Sequence, residues 1–389
     1  MAGLIIRPRS RIFHGHDWVY ATEVLKSFGH PKDGEVVSLK DGADRLIGSA
    51  IYNSRSQIVA RRISRQRQDL DADFFRRRIA QALEYRSRRG VDMQLGRIVW
   101  SESDGLPGLI VDRYGDHLAL QTLTLAFDQR RSLIVETMRE LLPCASIVAR
   151  NDAPIRKAEG LPLEVHVVYG DAPTPFLLPV DGVTFEFDLL HGQKTGFYLD
   201  QRANYREVAS HAAGRRVLDC FANQGAFAFA CARAGASEVT AIEVSEESVA
   251  AMKRNAERNA LSIRTIQANV FDALKELELR KALFDLIILD PPSFTKSKGT
   301  VKDARRGYKE IHLRALRLLD RGGQLATFCC SHHISTAFFK EIIVEAGVDA
   351  RKTLRQLAVY TQSADHPIIA SLPETEYLKG FLFELAPGR

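Results

Sequence analysis

The stretch that decides the fold reads VLDCFANQGAF and occupies residues 217–227. The apolar run 217–221 contains one acid, Asp219, and breaks at Asn223-Gln224-Gly225, after which an alanine-rich segment continues to Ala234. This order predicts a strand, a tight turn and a helix. The free backbone N–H groups at the start of such a helix point at the turn, which is thereby suited to hold a ligand.

A second apolar run, 239–242, ends in Glu243, an acid placed where the hydroxyls of a ribose would form hydrogen bonds. Units of this type bind a nucleoside-bearing cofactor at the carboxyl ends of their strands. A dinucleotide fold needs the pattern G-x-G-x-x-G so that its backbone can approach a pyrophosphate, whereas here Gly225 stands alone. One glycine favours a cofactor that carries an adenosine without a phosphate, and we therefore predict S-adenosylmethionine.

The composition is that of an ordinary soluble protein, with 45% apolar and 26% charged residues among 389. The length predicts two or three domains. No signal-peptide pattern follows Met1, and no stretch reaches the roughly 18 apolar residues that a membrane span needs. The five cysteines follow neither a disulfide framework nor a zinc pattern. We expect a cytoplasmic protein with reduced thiols, without a metal and without a membrane partner.

The positive charge is concentrated in the first quarter of the chain. Residues 1–90 contain 18 Lys+Arg, of which 15 are arginine, against 10 Asp+Glu. Their net charge of +8 leaves −2 for the rest of a chain whose total is +6. Arginine offers a planar fork to phosphate and a face that stacks on bases, so this excess favours nucleic-acid binding over a merely solvated basic face. The candidate RNA-binding residues are Arg55, Arg61, Arg62, Arg65 and Arg67.

Strand and turn patterns divide the chain into four segments. Residues 1–68 carry short strands between turn dipeptides, which predicts a small β-barrel or sandwich. Residues 69–91 combine apolar residues at helical spacing with several arginines, which predicts a basic linker helix. Residues 92–172 are expected to form an α+β domain. From 173 to 389 strands and helices alternate, and this predicts an α/β domain with a parallel, doubly wound sheet.

The sequence Asp290-Pro291-Pro292 follows an unbroken apolar run, 284–289, that predicts a buried central strand. The end of this strand is expected at the same sheet edge as Gly225 and Glu243. The Asp290 carboxylate can accept a hydrogen bond from an exocyclic amino group, and the prolines stiffen a loop that would contact a planar base. Asp-Pro-Pro-Ser also resembles a motif of enzymes that methylate base nitrogens, so these residues leave the methylated atom open.

Two adjacent cysteines, Cys329 and Cys330, follow the apolar run 324–328. Because neighbouring residues of a strand face opposite sides, at most one of the two thiols faces the cofactor cleft. Methylation of carbon 5 of a pyrimidine needs a nucleophile on carbon 6, and a thiolate is both a good nucleophile and a good leaving group. The alternative is that both cysteines are small buried hydrophobic residues.

The segment HGQKTGFYLDQR at residues 191–202 precedes the first strand of the predicted sheet. Its two glycines, its lysine and its hydrogen-bonding side chains fit a loop that closes over the methionine end of the cofactor. We therefore place Gln193, Thr195 and Tyr198 among the cofactor-binding residues. A plain surface loop is the alternative.

Six motifs in combination resemble those of the bacterial large-subunit ribosomal RNA 5-cytosine methyltransferases. Besides residues 191–202, they are SESDGLPG (101–108), DPPSF (290–294), RGYK (306–309), TFCCS (327–331) and DHPII (365–369). The resemblance covers essentially the whole chain. It implies an N-terminal PUA β-barrel, a central α+β domain and a class I, Rossmann-like methyltransferase domain, with S-adenosylmethionine as cofactor and 23S rRNA as substrate.

The resemblance also implies roles for single residues. The nucleophile of the family is the cysteine directly before the serine of the TFxCS motif, which is Cys330 here, while Cys329 stands where serine is usual. Asp290 would orient the cytosine, Glu243 would bind the ribose, and Asn269 would accept a hydrogen bond from the adenine amino group. The expected cofactor-binding residues are Gln193, Thr195, Tyr198, Asp219, Phe221, Gly225, Glu243, Asn269 and Asp290.

We therefore expect an enzyme that makes 5-methylcytosine in 23S rRNA, on the large subunit or its precursor, through addition of Cys330 to carbon 6. Two alternatives stay open. One is an enzyme of the same fold that methylates a base nitrogen, and the other is a non-catalytic RNA-binding factor in ribosome assembly. A homodimer is also left open.

Overall fold

The computed structural model describes residues 2–192, 195–295 and 298–387, except for the side chain of Lys298. Gln193, one of the expected cofactor-binding residues, lies outside these ranges. The chain folds into two compact units, each built from separate stretches of sequence. The first unit comprises Met1–Leu178, Phe187–Leu199 and Ala364–Thr375, and the second comprises Pro179–Glu186, Asp200–Ser363 and Glu376–Arg389.

The first unit contains two sheets. The strands of the first sheet are β1 (Gly3–Ile6), β2 (Trp18–Val19), β3 (Val24–Phe28), β4 (Val36–Lys40), β5 (Leu46–Tyr52) and β6 (Ala60–Ser64). The strands of the second sheet are β7 (Leu95–Trp100), β8 (Leu109–Tyr114), β9 (His117–Thr122), β10 (Ser146–Asn151) and β11 (Glu164–Gly170). The helices are α1 (Ala72–Arg88), α2 (Leu125–Asp128) and α3 (Arg131–Leu141), with 3₁₀ turns at Arg11–His14, Ala21–Glu23, Ser101–Asp104, Pro154–Glu159 and Pro373–Thr375.

The first sheet has the strand order β2-β6-β5-β4-β1-β3, and the second has the order β11-β10-β9-β8-β7. Most neighbours are antiparallel, but β1 pairs with β4 and β9 pairs with β10 in parallel. The strand-rich N-terminal segment predicted from the sequence is therefore confirmed.

Helix α1 is fixed by its ends and by its apolar face. The Asp71 side chain accepts a hydrogen bond from the backbone N–H of Phe74 at 2.8 Å and caps the first turn. Beyond the last turn, Gly90 has a φ of +66°, the left-handed conformation in which helices commonly end. The buried face of α1 belongs to a hydrophobic core that also takes side chains from both sheets. Members of this core are Ile51, Ile63, Phe74, Phe75, Ile79, Ile98, Val111 and Leu118.

Arg86 of α1 is fully buried. Its guanidinium makes two hydrogen bonds to the Asp104 carboxylate, at 2.9 and 2.8 Å, and one to the carbonyl oxygen of Asp365 at 2.9 Å. A charge taken out of water needs such a complete set of partners. Arg86 therefore adds nothing to the basic surface of this helix. It joins two of the motifs that carried the family resemblance, residues 101–108 and 365–369.

The second unit is built on one large sheet. Before it, β12 (Phe176–Val180) and β13 (Val183–Phe187) form a two-stranded sheet. The strands of the large sheet are β14 (Arg216–Cys220), β15 (Glu238–Glu243), β16 (Arg264–Gln267), β17 (Phe284–Leu289), β18 (Leu319–Cys329), β19 (Leu354–Tyr360) and β20 (Lys379–Leu385). The helices are α4 (Arg202–Ala209), α5 (Ala226–Arg233), α6 (Glu246–Arg258), α7 (Val270–Leu279), α8 (Val301–Leu318) and α9 (Thr336–Asp349), with 3₁₀ turns at Leu199–Gln201 and Lys298–Thr300.

The large sheet has the strand order β16-β15-β14-β17-β18-β20-β19. Strands β14 to β18 run parallel, as the alternation of strands and helices predicted. The alternation did not predict the last two strands of the sheet, of which β20 enters between β18 and β19 and runs antiparallel to both. An antiparallel neighbour needs no helical crossover, so the end of the chain can return into the sheet through a loop.

The core of the second unit lies between the strands of this sheet and the helices α7, α8 and α9, with Ile287, Leu289, Ile311 and Phe339 fully buried. Because β14, β15, β17 and β18 are parallel, their carboxyl ends meet at one edge of the sheet. From the sequence, we predicted that the segments after these four strand ends bind the cofactor and carry the nucleophile. In the part of the chain that is described, no helix is long and apolar enough to cross a membrane.

Candidate active site

The turn after β14 has an unusual backbone. Phe221, Asn223 and Gly225 all have positive φ, at +64°, +49° and +84°. The first two are not glycine and are strained in this conformation, which is a frequent feature of ligand-binding turns. A Cβ atom on Gly225 would lie 2.9 Å from Met252 Cγ and 3.0 Å from the Phe229 ring. Gly225 is thus required by its backbone conformation and by the packing of α5 against α6.

Asp219 on β14 is a buried acid with an unused oxygen. Its Oδ2 accepts a hydrogen bond from the backbone N–H of Ala228 at 3.0 Å, while Oδ1 has no partner within the described residues. Burial raises the pKa of Asp219 well above its usual range, and the charges of Asp290 and Glu243 act in the same direction. The Gln224 side-chain oxygen is likewise buried without a partner among those residues. A cationic or N–H-bearing ligand would satisfy both acceptors.

Glu243 is held in place by the backbone around it. Its Oε2 accepts a hydrogen bond from Asn223 N at 2.8 Å, and its Oε1 accepts from Val244 N at 2.8 Å and Ser245 N at 2.9 Å. The carboxylate therefore ties the turn after β14 to the end of β15. Oε1 thus uses both of its acceptor sites, whereas Oε2 retains one, so the carboxylate can still receive a hydroxyl group.

Asn269 is exposed and caps α7, since its side-chain oxygen accepts a hydrogen bond from Phe271 N at 2.9 Å. This capping hydrogen bond competes for the same oxygen with the hydrogen bond that Asn269 was predicted to accept from the adenine amino group. The side-chain NH2 group of Asn269 is the better candidate for a ligand contact, because the cap does not use it. Such a donor suits a ring nitrogen of adenine.

Asp290 is oriented by a chain of buried amides. The Gln201 side chain donates to Asp290 Oδ2 at 3.1 Å. The Asn204 side chain donates in turn to the Gln201 oxygen at 2.6 Å and to the carbonyl of Thr361 at 3.0 Å. Gln201 and Asn204 are both buried. Sequence reasoning did not single out Gln201 as a partner of Asp290, although it lies inside the motif 191–202.

The loop after β17 is tied to the end of β18. Ser293 and Ser331 share a hydrogen bond of 2.7 Å between their hydroxyls, and the Tyr308 hydroxyl lies 3.3 Å from Ser331 Oγ. Ser293 follows Asp290-Pro-Pro, and Ser331 follows Cys330. The DPPSF and TFCCS motifs are therefore neighbours in space.

The two adjacent cysteines have different surroundings. Cys329 is fully buried in the core, and its thiol donates to the Tyr308 hydroxyl at 3.4 Å. Cys330 is only half-buried. Burial raises the pKa of Cys220 and of Cys231, which therefore stay protonated and inert. Cys330 is the one cysteine of the second unit that a substrate could reach, and all of this unit's cysteines lie in the described part of the chain.

Thr195 of the 191–202 segment has a structural role in the first unit. Its buried hydroxyl donates to the Asp112 carboxylate and lies 3.1 Å from the Tyr114 hydroxyl, which also accepts from Phe197 N at 3.1 Å. These bonds commit the only proton of the hydroxyl to Asp112, and the role of Thr195 in cofactor binding stays a prediction. Tyr198 is half-buried.

The five candidate RNA-binding arginines are not equivalent. Arg61 is buried and pairs with Glu159 at 2.8 Å, and the Arg62 side chain pairs with Asp17 at 2.7 Å. Contrary to the prediction, these two guanidinium groups have no free face for phosphate. Arg55, Arg65 and Arg67 are exposed. Arg65 and Arg67 follow the end of β6, whereas Arg55 precedes its start.

The described residues contain no group of three or more His, Cys, Asp or Glu side chains placed to hold a metal ion. The polar groups at the sheet edge are instead single acceptors and donors. Asp219, Glu243 and Asp290 stand at or directly after the ends of three parallel strands, with the thiol of Cys330 after the fourth. This arrangement suits an organic cofactor that carries a cation and a ribose, next to a nucleophile.

Known proteins share this architecture. A family model described as S-adenosylmethionine-dependent methyltransferase matches residues 167–360, and one described as a PUA-like domain matches residues 8–65. A solved structure of a methyltransferase complexed with SAH has a TM-score of 0.85 and 23% identity, over 99% of this chain and 100% of its own. That similarity shows the class I methyltransferase fold.

Two relatives extend the similarity to the sequence. The Erwinia tasmaniensis protein named ribosomal RNA large subunit methyltransferase I is 37% identical over 374 residues, which is 94% of each chain. The Aeromonas salmonicida protein of the same name is 37% identical over 97% of this chain and 98% of its own. The chain therefore belongs to the ribosomal RNA large subunit methyltransferase I family and is an S-adenosylmethionine-dependent methyltransferase.

Proposed function

We propose that this enzyme methylates carbon 5 of a cytosine in 23S rRNA, in the cytoplasm, on the large subunit or its precursor. The observation that carries the proposal is the half-buried thiol of Cys330, on a loop that the Ser293–Ser331 hydrogen bond joins to the loop of Asp290. A nitrogen of a base can attack a methyl group directly, whereas carbon 5 cannot. A reachable cysteine beside a base-orienting acid therefore favours carbon 5 over nitrogen.

The cofactor would be held by groups at the ends of β14, β15 and β16. Asp219 would accept a hydrogen bond from the methionine ammonium, and this contact would favour the ionised carboxylate that burial disfavours. Glu243 would accept a hydrogen bond from a ribose hydroxyl, and Val244, which is 64% exposed, offers an apolar surface to the adenine. S-adenosylmethionine supplies the electrophilic methyl group. Asn269 would donate to the adenine edge.

The chemistry assigned to the chain's own residues begins at Cys330. Its thiolate forms a bond to carbon 6, and the electron pair of the carbon 5–carbon 6 double bond moves towards carbon 5. Asp290, held by Gln201, binds the pyrimidine at N3 or at its amino group and fixes the ring over the thiolate. After carbon 5 has been methylated, a base removes its proton. The electron pair of that C–H bond restores the double bond, and Cys330 leaves as a thiolate.

The proposal is tested by identifying the product. Purified enzyme with isotopically labelled S-adenosylmethionine should label 23S rRNA from a strain that lacks the gene, and nuclease digestion with mass spectrometry should find the label in 5-methylcytidine. rRNA that the wild-type strain has already methylated is the control and should take up little label. Label in a nitrogen-methylated nucleoside would favour the alternative supported by the Asp-Pro-Pro motif. No label in either RNA would favour the non-catalytic assembly factor.

We also propose that RNA phosphates contact the exposed pair Arg65 and Arg67. Replacing both with glutamine should weaken RNA binding and reduce the slope of log affinity against log salt by about 1.4, or roughly 0.7 for each lost contact on single-stranded RNA. Fluorescence anisotropy over a series of salt concentrations measures this slope. The matched control removes the same charge from the second unit, at the exposed Arg321 and Arg351. Equal slopes for both double variants would show that Arg65 and Arg67 lie on a solvated basic face.

A further inference from the structure

Lys379 is a buried lysine whose ammonium contacts the residue directly after the proposed nucleophile. It is the first residue of β20 and lies opposite Cys329 in the antiparallel pairing of β18 and β20. Only 6% of Lys379 is exposed. Its ammonium donates to the carbonyl oxygen of Ser331 at 2.7 Å and to that of Tyr377 at 2.9 Å. The side chain therefore ends at the backbone of the residue that follows Cys330.

The charge of this ammonium is poorly compensated. Within the described residues it forms no ion pair with a carboxylate, and its hydrogen-bond partners are two neutral carbonyl groups. Burying an unpaired cation costs free energy, and burial lowers the pKa of Lys379 accordingly. Negative charge on Cys329, Cys330 or Glu376 would act in the opposite direction. A thiolate at the end of β18 is thus a natural counter-charge.

Of the two thiols, Cys330 is the one that can use this charge. Cys329 is enclosed in the apolar core and donates a hydrogen bond to the Tyr308 hydroxyl, and burial also raises the pKa of Tyr308. A thiolate at Cys329 would therefore be poorly solvated. Cys330 is partly open to solvent, which can take up its proton. The imidazoles of His332 and His333 follow on the same loop and are exposed.

We infer that Lys379 is a positioning residue that stabilises the thiolate of Cys330 and anchors the loop that carries it. A neighbouring ammonium favours the charged form of a thiol and so raises the fraction of nucleophile at neutral pH. The inference rests on the proposed role of Cys330 and deepens it. Its chemistry can be examined without RNA or cofactor, so that the two ideas can fail separately.

The experiment measures the alkylation rate of Cys330 by iodoacetamide as a function of pH, with mass spectrometry resolving the individual cysteines. Only the thiolate reacts, so the rate follows its fraction. In the wild type the midpoint should lie below roughly 8.5, the ordinary pKa of a free thiol. In Lys379→Met it should rise by about one pH unit, which lowers the rate at pH 7 about tenfold. The rate at high pH, where every Cys330 is a thiolate, should be unchanged.

Two variants serve as controls. Lys340→Met removes an equal charge from an exposed position on α9 and should leave the midpoint unchanged. Lys379→Arg keeps the charge and should keep the midpoint low. Thermal unfolding and S-adenosylmethionine binding test whether each variant is folded. If Lys379→Met does not fold, the pH midpoint of Cys330 alkylation in the wild type still tests the inference. A midpoint at or above roughly 8.5 contradicts it.

The outcomes separate the inference from the proposed function. An unchanged midpoint in folded Lys379→Met would mean that Lys379 only supports the backbone, and Cys330 could still be the nucleophile. A raised midpoint supports the inference even if the rRNA product turns out to be methylated on nitrogen. In that case the proposal of methylation at carbon 5 is wrong, whereas the inference that Lys379 stabilises the Cys330 thiolate is supported.

Discussion

Replacement of Cys330 by alanine should abolish the methylation of cytosine while leaving the fold and the affinity for S-adenosylmethionine intact. The thiolate is indispensable in the proposed reaction, because carbon 5 becomes nucleophilic only after carbon 6 has been attacked. Removal of such a group should cost several orders of magnitude in rate. Cys330 is half-buried and outside the hydrophobic core, so its replacement leaves no large cavity. Methyl transfer to 23S rRNA, measured with labelled cofactor, provides the test.

Cys329→Ser is the matched control and should retain most activity. Cys329 is enclosed in the core, and a serine hydroxyl there can keep the hydrogen bond to Tyr308. RNA that carries 5-fluorocytosine makes the comparison direct. A fluorine cannot be removed as a proton can, so the bond between sulfur and carbon 6 should be trapped. Wild type and Cys329→Ser should form a denaturant-resistant adduct with RNA, and Cys330→Ala should form none.

The contrary outcomes are equally specific. An adduct that persists in Cys330→Ala and vanishes in Cys329→Ser would identify Cys329 as the nucleophile. Methylation without an adduct in any variant would instead favour transfer to a base nitrogen.

Replacement of Glu243 by alanine should weaken S-adenosylmethionine binding by about 1.5–3 kcal/mol, or roughly 10- to 150-fold in Kd, as expected for the loss of a charged hydrogen-bond acceptor. The effect should lie towards the upper end, because Glu243 also holds Asn223 N and so fixes the strained turn after β14. Isothermal titration calorimetry measures the affinity. RNA binding should not change.

Glu247→Ala is the control for this prediction. It removes the same charge from an exposed position on α6, in the turn after Glu243, and should leave the affinity as it was. Equal affinities for the wild type and Glu243→Ala would contradict the assignment of the ribose to this acid. The neighbouring Asp219 would then have to carry most of the recognition.

Most of the second unit could be predicted because its local signals agree. The apolar run of β17 is bounded by the predicted residues, and the start of α5 follows from the turn at Gly225. The antiparallel return of β20 could not be predicted, since no local pattern tells a strand which neighbours it joins. The place of a parallel strand follows from its helical crossover, whereas the place of a strand that returns through a loop depends on the rest of the fold.

At the site, the sequence identified residue types better than their partners. Strand alternation predicted that at most one of Cys329 and Cys330 faces the cofactor cleft, and the two thiols do differ in burial, with Cys329 buried and Cys330 half-buried. Other candidate site residues contact side chains that are far away in the sequence. Arg61 forms an ion pair with Glu159, and the hydroxyl of Thr195 donates a hydrogen bond to Asp112. Spacing along the chain carries no information on such pairs.

The return of residues 364–375 into the first unit has a consequence for the order in which the protein matures. Asp365 accepts hydrogen bonds from Arg97 N through its carboxylate, at 2.8 Å, and from buried Arg86 through its carbonyl, at 2.9 Å. A ribosome delivers the chain from its N-terminus. The PUA-like end is thus made first, but the interior of the first unit can be completed only after residue 365 has emerged. A nascent or prematurely terminated chain would therefore hold an unfinished N-terminal unit.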